Sequence, residues 1–223
     1  MASTRRQYRT LEEFCHYLHA RGYTPGTVID VGAAFGTPEL LQSFPDAYHI
    51  LIDPVPSYED RFREILNRYR GEYHLIAVGD VESVMPLRVP AGQTVGSSLL
   101  TEGEEGDLMV PVVRLDTLFD DRSLEPPILL KTDCQGYDMK VTAGGRRLLA
   151  KCDLVVCEVN LFHPTGRPDL PDLGDTVQIM RDLGFAVYDI VSYQTRPYDD
   201  ALGYVDLVFA NEQSEFRKVH RWQ

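Results

Sequence analysis

Asp133, Glu158, Asn160 and His163 are the side chains of this sequence whose types and spacing could do chemistry on a hydroxyl group. The first three stand at the ends of two apolar runs, Pro126–Asp133 (PPILLKTD) and Cys152–Asn160 (CDLVVCEVN), and His163 follows three residues on. A hydroxyl becomes a good nucleophile when a positioned base takes its proton or when a divalent ion lowers its pKa. Asp, Glu and Asn are the oxygen donors that magnesium prefers, so Asp133, Glu158 and Asn160 could hold such an ion. His163 could instead act as the base, with Asp133 and Glu158 orienting the reactants. Both versions stay open in the sequence. Each residue also has a plain structural role open to it: a helix cap for Asp133, a core ion pair with Lys131 for Glu158, and an exposed loop position for His163.

A second constellation concerns a ligand. VIDVGAAFG (Val28–Gly36) is a β-branched run ending in a glycine turn, and LIDP (Leu51–Pro54) follows it. Gly32 and Gly36 let the backbone come close to a bound molecule. Asp53 ends the second run, where a carboxylate can accept hydrogen bonds from two ribose hydroxyls. The glycine spacing G-x-x-x-G departs from the G-x-G-x-x-G of dinucleotide sites. Asp30, two residues before Gly32, would repel a pyrophosphate but suits a sulfonium or its ammonium group. These features favour S-adenosylmethionine over a nicotinamide dinucleotide.

The elements that must position these residues alternate between strand-like and helix-like stretches, the pattern of an α/β fold with a mostly parallel sheet and helices on both faces. Thr10 with Glu13 predicts a capping box opening a helix to about Ala20, ended by Gly22. Strands are expected at Thr27–Val31, His49–Asp53, Tyr73–Gly79, Pro126–Asp133, Cys152–Asn160, in FAVYDIVSY, and at Tyr204–Asn211. Helices are expected over Thr37–Ser43, Ser57–Arg70, Tyr137–Ala150 (interrupted by Gly144-Gly145) and Asp175–Leu183. VMPLRV and VPVVRL suggest a local hairpin. The loops Ala91–Asp107 and His163–Gly174, with the first helix, are expected to cover the site. The reading is a single domain: a helical extension over 1–24, a core over 25–212 and a tail over 213–223.

Bulk properties narrow the function. The net charge of −12 disfavours a nucleic-acid partner, which would need a basic face. No apolar run is long enough to cross a bilayer, and the start MASTRRQYRTLEEF lacks the apolar stretch of a secretory signal, so a cytoplasmic protein with no membrane partner is expected. Cys15, Cys134, Cys152 and Cys157 show no metal-finger or CxxC spacing and are expected to be reduced and buried, with a reservation for Cys134 inside the motif below.

Several segments resemble the FkbM family of methyltransferases. VIDVGAAFG is similar to its DVGANIG motif, with Ala34 where Asn is usual, and LKTDCQGYDMKVTAGG (Leu130–Gly145) to its LKIDVEGxExxVLxG block, with Gln135 and Asp138 in place of Glu. VGSSL, VVRLDTL and CEVN also have counterparts there. The resemblance implies a class I methyltransferase fold with a seven-stranded, mostly parallel sheet, and O-methylation of a sugar or a natural product such as a polyketide. It further implies that Asp30, Gly32 and Gly36 line the methionine half of the cofactor, Asp53 its ribose, and Asp80 the adenine edge. The metal version of the hydroxyl chemistry resembles the layout of catechol O-methyltransferase. An N-methyltransferase of the same fold, a nicotinamide oxidoreductase and a non-catalytic binding protein are the alternatives.

Overall fold

The computed structural model describes residues 9–90, 96–100, 104–163, 167 and 169–221. At its centre is a seven-stranded sheet built from β1 (Thr27–Val31), β2 (Tyr48–Ile52), β3 (Gly71–His74), β8 (Ile128–Thr132), β9 (Leu154–Asn160), β10 (Phe185–Thr195) and β11 (Leu202–Asn211). The order is β10-β11-β9-β8-β1-β2-β3. The five strands from β3 to β9 in this order run parallel, and the β10–β11 hairpin closes the sheet antiparallel to β9. β1 and β8 are buried along their whole length, as expected of parallel strands covered on both faces.

Alternation along the strands sorts their side chains into two faces. Ile29, Val31, Leu130, Cys157 and Phe209 face α4 (Leu115–Leu118), α5 (Asp138–Ala143), α6 (Arg146–Leu149) and α7 (Leu173–Asp182). Val28, Leu129, Val156 and Val208 face α1 (Leu11–Ala20) and α2 (Pro38–Ser43). Period two puts Asp30, Lys131, Glu158 and Asp206 on this second face as well, at the end where α1 and α2 leave it open. α3 (Glu59–Leu66) packs Phe62 and Ile65 beyond Leu51.

The expected third strand is two strands. β2 ends at Ile52 ahead of Asp53-Pro54, so its neighbour loses its partner after Asp53 N–H donates to His74 O at 3.2 Å. The chain then leaves the sheet edge, and β4 (Ala77–Val78) pairs with β7 (Leu108–Val113) in a separate four-stranded sheet that also holds β5 (Ser83–Arg88) and β6 (Ser98–Leu99), in the order β4-β7-β5-β6. The expected hairpin is the β5 and β7 pair of this sheet, and β6 borders β5. The helix expected over Ser57–Arg70 is shorter, a 3₁₀ turn at Pro56–Tyr58 followed by α3. The glycine pair does divide α5 from α6: a Cβ on Gly144 would lie 1.9 Å from Gly79 O, so only glycine lets these segments touch. Parts of both covering loops, at 91–95, 101–103, 164–166 and 168, lie outside the described residues. No helix among the described residues is long and apolar enough to cross a membrane.

The α1 start carries its expected capping box, with Glu13 N–H donating to Thr10 Oγ1 and Thr10 N–H to Glu13 Oε2, each at 3.2 Å. Thr10→Ala removes the first bond and exposes an amide, so it should cost about 0.5–2 kcal/mol of stability in urea unfolding. An unchanged midpoint would mean that the packing of Phe14 and Leu18 alone holds the helix.

Candidate functional site

The carboxyl ends of β1, β2 and β8 meet at two cavities that share a wall. The first is a narrow slot of about 100 Å³, closed by the small sheet and lined by Gly32, Ala34, Asp53, Tyr58, Gln135 and Tyr137, with Ile76–Val78 and Leu99 supplying apolar surface. The second is a wide basin of about 670 Å³ on the α1/α2 face, reaching from the Gly32–Glu39 turn to β10 and β11. Gly32, Ala34 and Asp133 line both.

The wall is built by backbone that few residues tolerate. Gly32 has φ +74°, and a Cβ there would lie 2.0 Å from Asp133 O, so the β1 turn and the β8 end fit together only as glycine against backbone. Ala34 (φ 46°) and Gln135 (φ 53°) are left-handed without being glycine, and both line the first cavity. Such residues cost roughly 1–3 kcal/mol each and cluster at functional sites. The strain at Ala34 aims its N–H at Asp53 Oδ2 (3.0 Å), while Val55 N–H donates to Asp53 Oδ1 (3.0 Å). Burial raises the Asp53 carboxyl to about 6 against the pull of these two amides.

Beneath the second cavity lies a charge cluster. Lys131 Nζ donates to Asp133 Oδ2 at 3.4 Å and stands 3.7 Å from Asp30 Oδ1. Burial works to lower the lysine pKa, but Asp30, Asp133 and Asp206 outweigh it and hold the ammonium above its ordinary value. Asp133 Oδ1 accepts from Gln135 Nε2 at 3.2 Å, so both oxygens of this carboxylate are held. Burial raises Asp206 to about 6, with Lys131 opposing. Glu158, in register with Asp206, is pushed far above the carboxylate range by burial and by Asp133, Asp138 and Asp206, and Lys131 offsets this only weakly.

The residues expected from the sequence divide. Asp133, Gly32 and Asp53 meet at the first cavity, and Gly36 lines the second. Asp30 lines neither; its Oδ2 accepts Thr37 N–H at 3.2 Å beneath the glycine turn. Asp80 is held outside by Lys140 (2.9 Å). His163 stands in the loop with its Nδ1 2.9 Å from Leu170 O and lines neither cavity. Glu158 and Asn160 also lie off both linings. Among the described residues no group of three or more His, Cys, Asp and Glu side chains is placed to hold a metal ion. The carboxylates fit a metal poorly because the Lys131 ammonium already stands among them. Cys134 lines the first cavity, but burial raises its thiol well above the ordinary range, which disfavours the reactive thiolate. Sequence reasoning missed Asp206 and the central role of Lys131. Their signal was a charge inside a strand otherwise apolar, as in YVDLVFAN and PPILLKTD.

The methyltransferase FkbM domain matches residues 30–187, more than half of the chain. None of the curated proteins matches the sequence. Among solved structures, magnesium protoporphyrin IX methyltransferase from Synechocystis with bound S-adenosylmethionine superposes at a TM-score of 0.50 and 13% identity, covering 90% of this chain and 77% of that one. The same enzyme with bound S-adenosylhomocysteine gives 0.51 and 12%, covering 90% and 81%. The likeness is one of fold, that of the class I methyltransferases.

The raised Glu158 carboxyl has a consequence for stability. In acid below about pH 4, folded and unfolded chains both keep this proton. As pH rises, the unfolded chain releases it first, so Glu158 costs stability increasingly toward neutrality. Glu158→Gln should therefore be more stable than the parent at pH 8 and nearly equal at pH 4, read by chemical denaturation at both. A loss of stability at pH 8 would mean that Glu158 is ionised and paired with Lys131.

Proposed function

The chain belongs to the methyltransferase FkbM family, and from that premise we propose that it moves a methyl group from S-adenosylmethionine to a hydroxyl oxygen of a small molecule. The observation that carries the cofactor assignment is the first cavity, where Asp53 ends β2 beside the Gly32–Gly36 turn. Its residues fit the cofactor. Asp53 would take the ribose hydroxyls, the apolar strip of Ile76–Val78 and Leu99 the adenine, and Gly32, Ala34 and Gln135 the methionine end. Asp30 supports this wall from below by holding the Thr37 amide and facing Lys131.

When bound, S-adenosylmethionine supplies an electrophilic methyl carbon on a cationic sulfur. The chain has two tasks: to hold the acceptor oxygen about 3 Å from that carbon, in line with the breaking bond, and to receive the proton. Asp133 is suited to the second task. It faces both cavities, and Lys131 and Gln135 fix its two oxygens while each keeps a further lone pair. Transfer of the methyl group would free one proton from the acceptor hydroxyl, and Asp133 would receive it on an oxygen lone pair that Lys131 and Gln135 leave open. No step is routed through a metal, nor through His163.

Asp133→Asn keeps the shape and removes the proton acceptor, so kcat should fall about 10²-fold or more while S-adenosylhomocysteine affinity changes little. Turnover should persist in chelator; loss restored by magnesium would reinstate the metal. Asp53→Ala should weaken S-adenosylhomocysteine binding by about 1–3 kcal/mol in calorimetry, the worth of hydrogen bonds to a charged group. Binding NAD more tightly than S-adenosylhomocysteine would refute the cofactor assignment.

A further inference from the structure

We propose that the second cavity is the acceptor site, and that it takes an uncharged or amine-bearing, hydroxyl-rich ring in preference to a phosphate- or carboxylate-bearing molecule. This rests on the methyl transfer proposed above and names the substrate class for it. At about 670 Å³ the basin is far roomier than the slot of about 100 Å³ beside it. Gly32, Ala34 and Asp133 line both cavities, so the basin adjoins the proposed cofactor cavity at the proposed base.

The charges of the basin select against anions. Glu39, Asp133 and Asp206 line it, and among the described residues its one cationic side chain is Lys131. That ammonium is already engaged by Asp133 and faces Asp30, whose buried Oδ1 has no hydrogen-bond partner. Asp30 lies beneath the lining, so the carboxylates open to a ligand are Glu39, Asp133 and Asp206. These can receive hydroxyl or ammonium hydrogens, whereas among the described residues of the lining a phosphate would find no uncommitted cation. The net charge of −12 opposes anions at longer range. Phe35 and Tyr193, 54% and 48% exposed, add aromatic surface to the walls, and such faces suit the C–H side of a ring whose edges carry hydroxyls.

The test uses the purified full chain, S-adenosylmethionine labelled in its methyl group, and a small-molecule extract of the source cells split on anion-exchange resin. Label should enter compounds of the flow-through at least about tenfold more than the resin-bound anions, since unfavourable like-charge contacts cost that much or more. Label confined to the bound fraction, or entering neither while S-adenosylhomocysteine still binds, overturns this inference and leaves the cofactor reading standing. Failure of S-adenosylhomocysteine to bind would instead sink the proposed function. Ser192→Trp, which fills the basin beside Asp206, should reduce transfer about 10²-fold with S-adenosylhomocysteine affinity unchanged, because the acceptor can no longer sit in line. Undiminished transfer would show that the acceptor enters elsewhere. If that variant does not fold, Glu39→Lys on α2 serves: it should raise the anion-to-neutral labelling ratio about tenfold, and an unchanged ratio overturns the inference.

Discussion

An ammonium group buried in the middle of a parallel sheet can remain charged only if carboxylates surround it. Lys131 occupies that position, with Asp30 alongside on β1, Asp133 two residues on at the end of β8, and Asp206 contributing from β11. These residues are far apart in sequence and converge because parallel strands bring their carboxyl ends to one edge. The lysine therefore does more than balance charge. Without it the carboxylates would face one another, and the turn after β1 and the end of β8 would repel where they must touch. The shared wall of the two cavities depends on this one cation.

The same cluster gives similar carboxylates different properties. Asp133 has both oxygens held by donors and stays partly open to the cavities. Glu158, Asp206, Asp138 and Asp53 are buried more deeply, and burial is the first cause of their raised pKa values. Of these, Glu158 is raised furthest, to about 9, and a proton kept there removes one negative charge from the cluster at neutral pH. Two of the three left-handed non-glycine residues among those described are here: Ala34 directs an amide at Asp53, and Gln135 donates to Asp133. Strained backbone of this kind collects at functional sites, and here it builds the lining of the first cavity.

Much of this was legible in the sequence for physical reasons. Thr27–Val31 and Pro126–Asp133 read as buried strands because β-branched and apolar residues run unbroken between turn signals, and Thr10 with Glu13 read as a helix start because a cap is a local device. The division of Tyr73–Gly79 was not legible. An apolar run shows that a strand forms but not which neighbour it pairs with, and here that was decided by where β2 stops. The site was half legible. Gly32, Asp53 and Asp133 sit on their own strand ends, so local pattern located them. Asp80 and His163 were expected nearer the chemistry because sequence proximity to a strand end does not fix the direction in which a loop side chain turns; Lys140 and the Leu170 carbonyl decided that. Asp206 escaped because its role exists only across strands.

The departures from the family's motifs acquire a meaning in this geometry. A Glu at position 135 would place a second carboxylate beside Asp133, whereas Gln135 donates a hydrogen bond to it at 3.2 Å. With Lys131 on the other oxygen, Asp133 becomes a carboxylate fixed from two sides, which suits a group that must receive a proton along one direction. The Ala34 departure works differently. Asn tolerates the left-handed region better than Ala, so this chain accepts extra backbone strain where Asn is usual. What it gains is a methyl in place of a polar amide on the wall shared by the two cavities. In the proposed reaction cofactor and acceptor meet at these residues, and a smaller, apolar residue there leaves Asp133 as the polar side chain facing both.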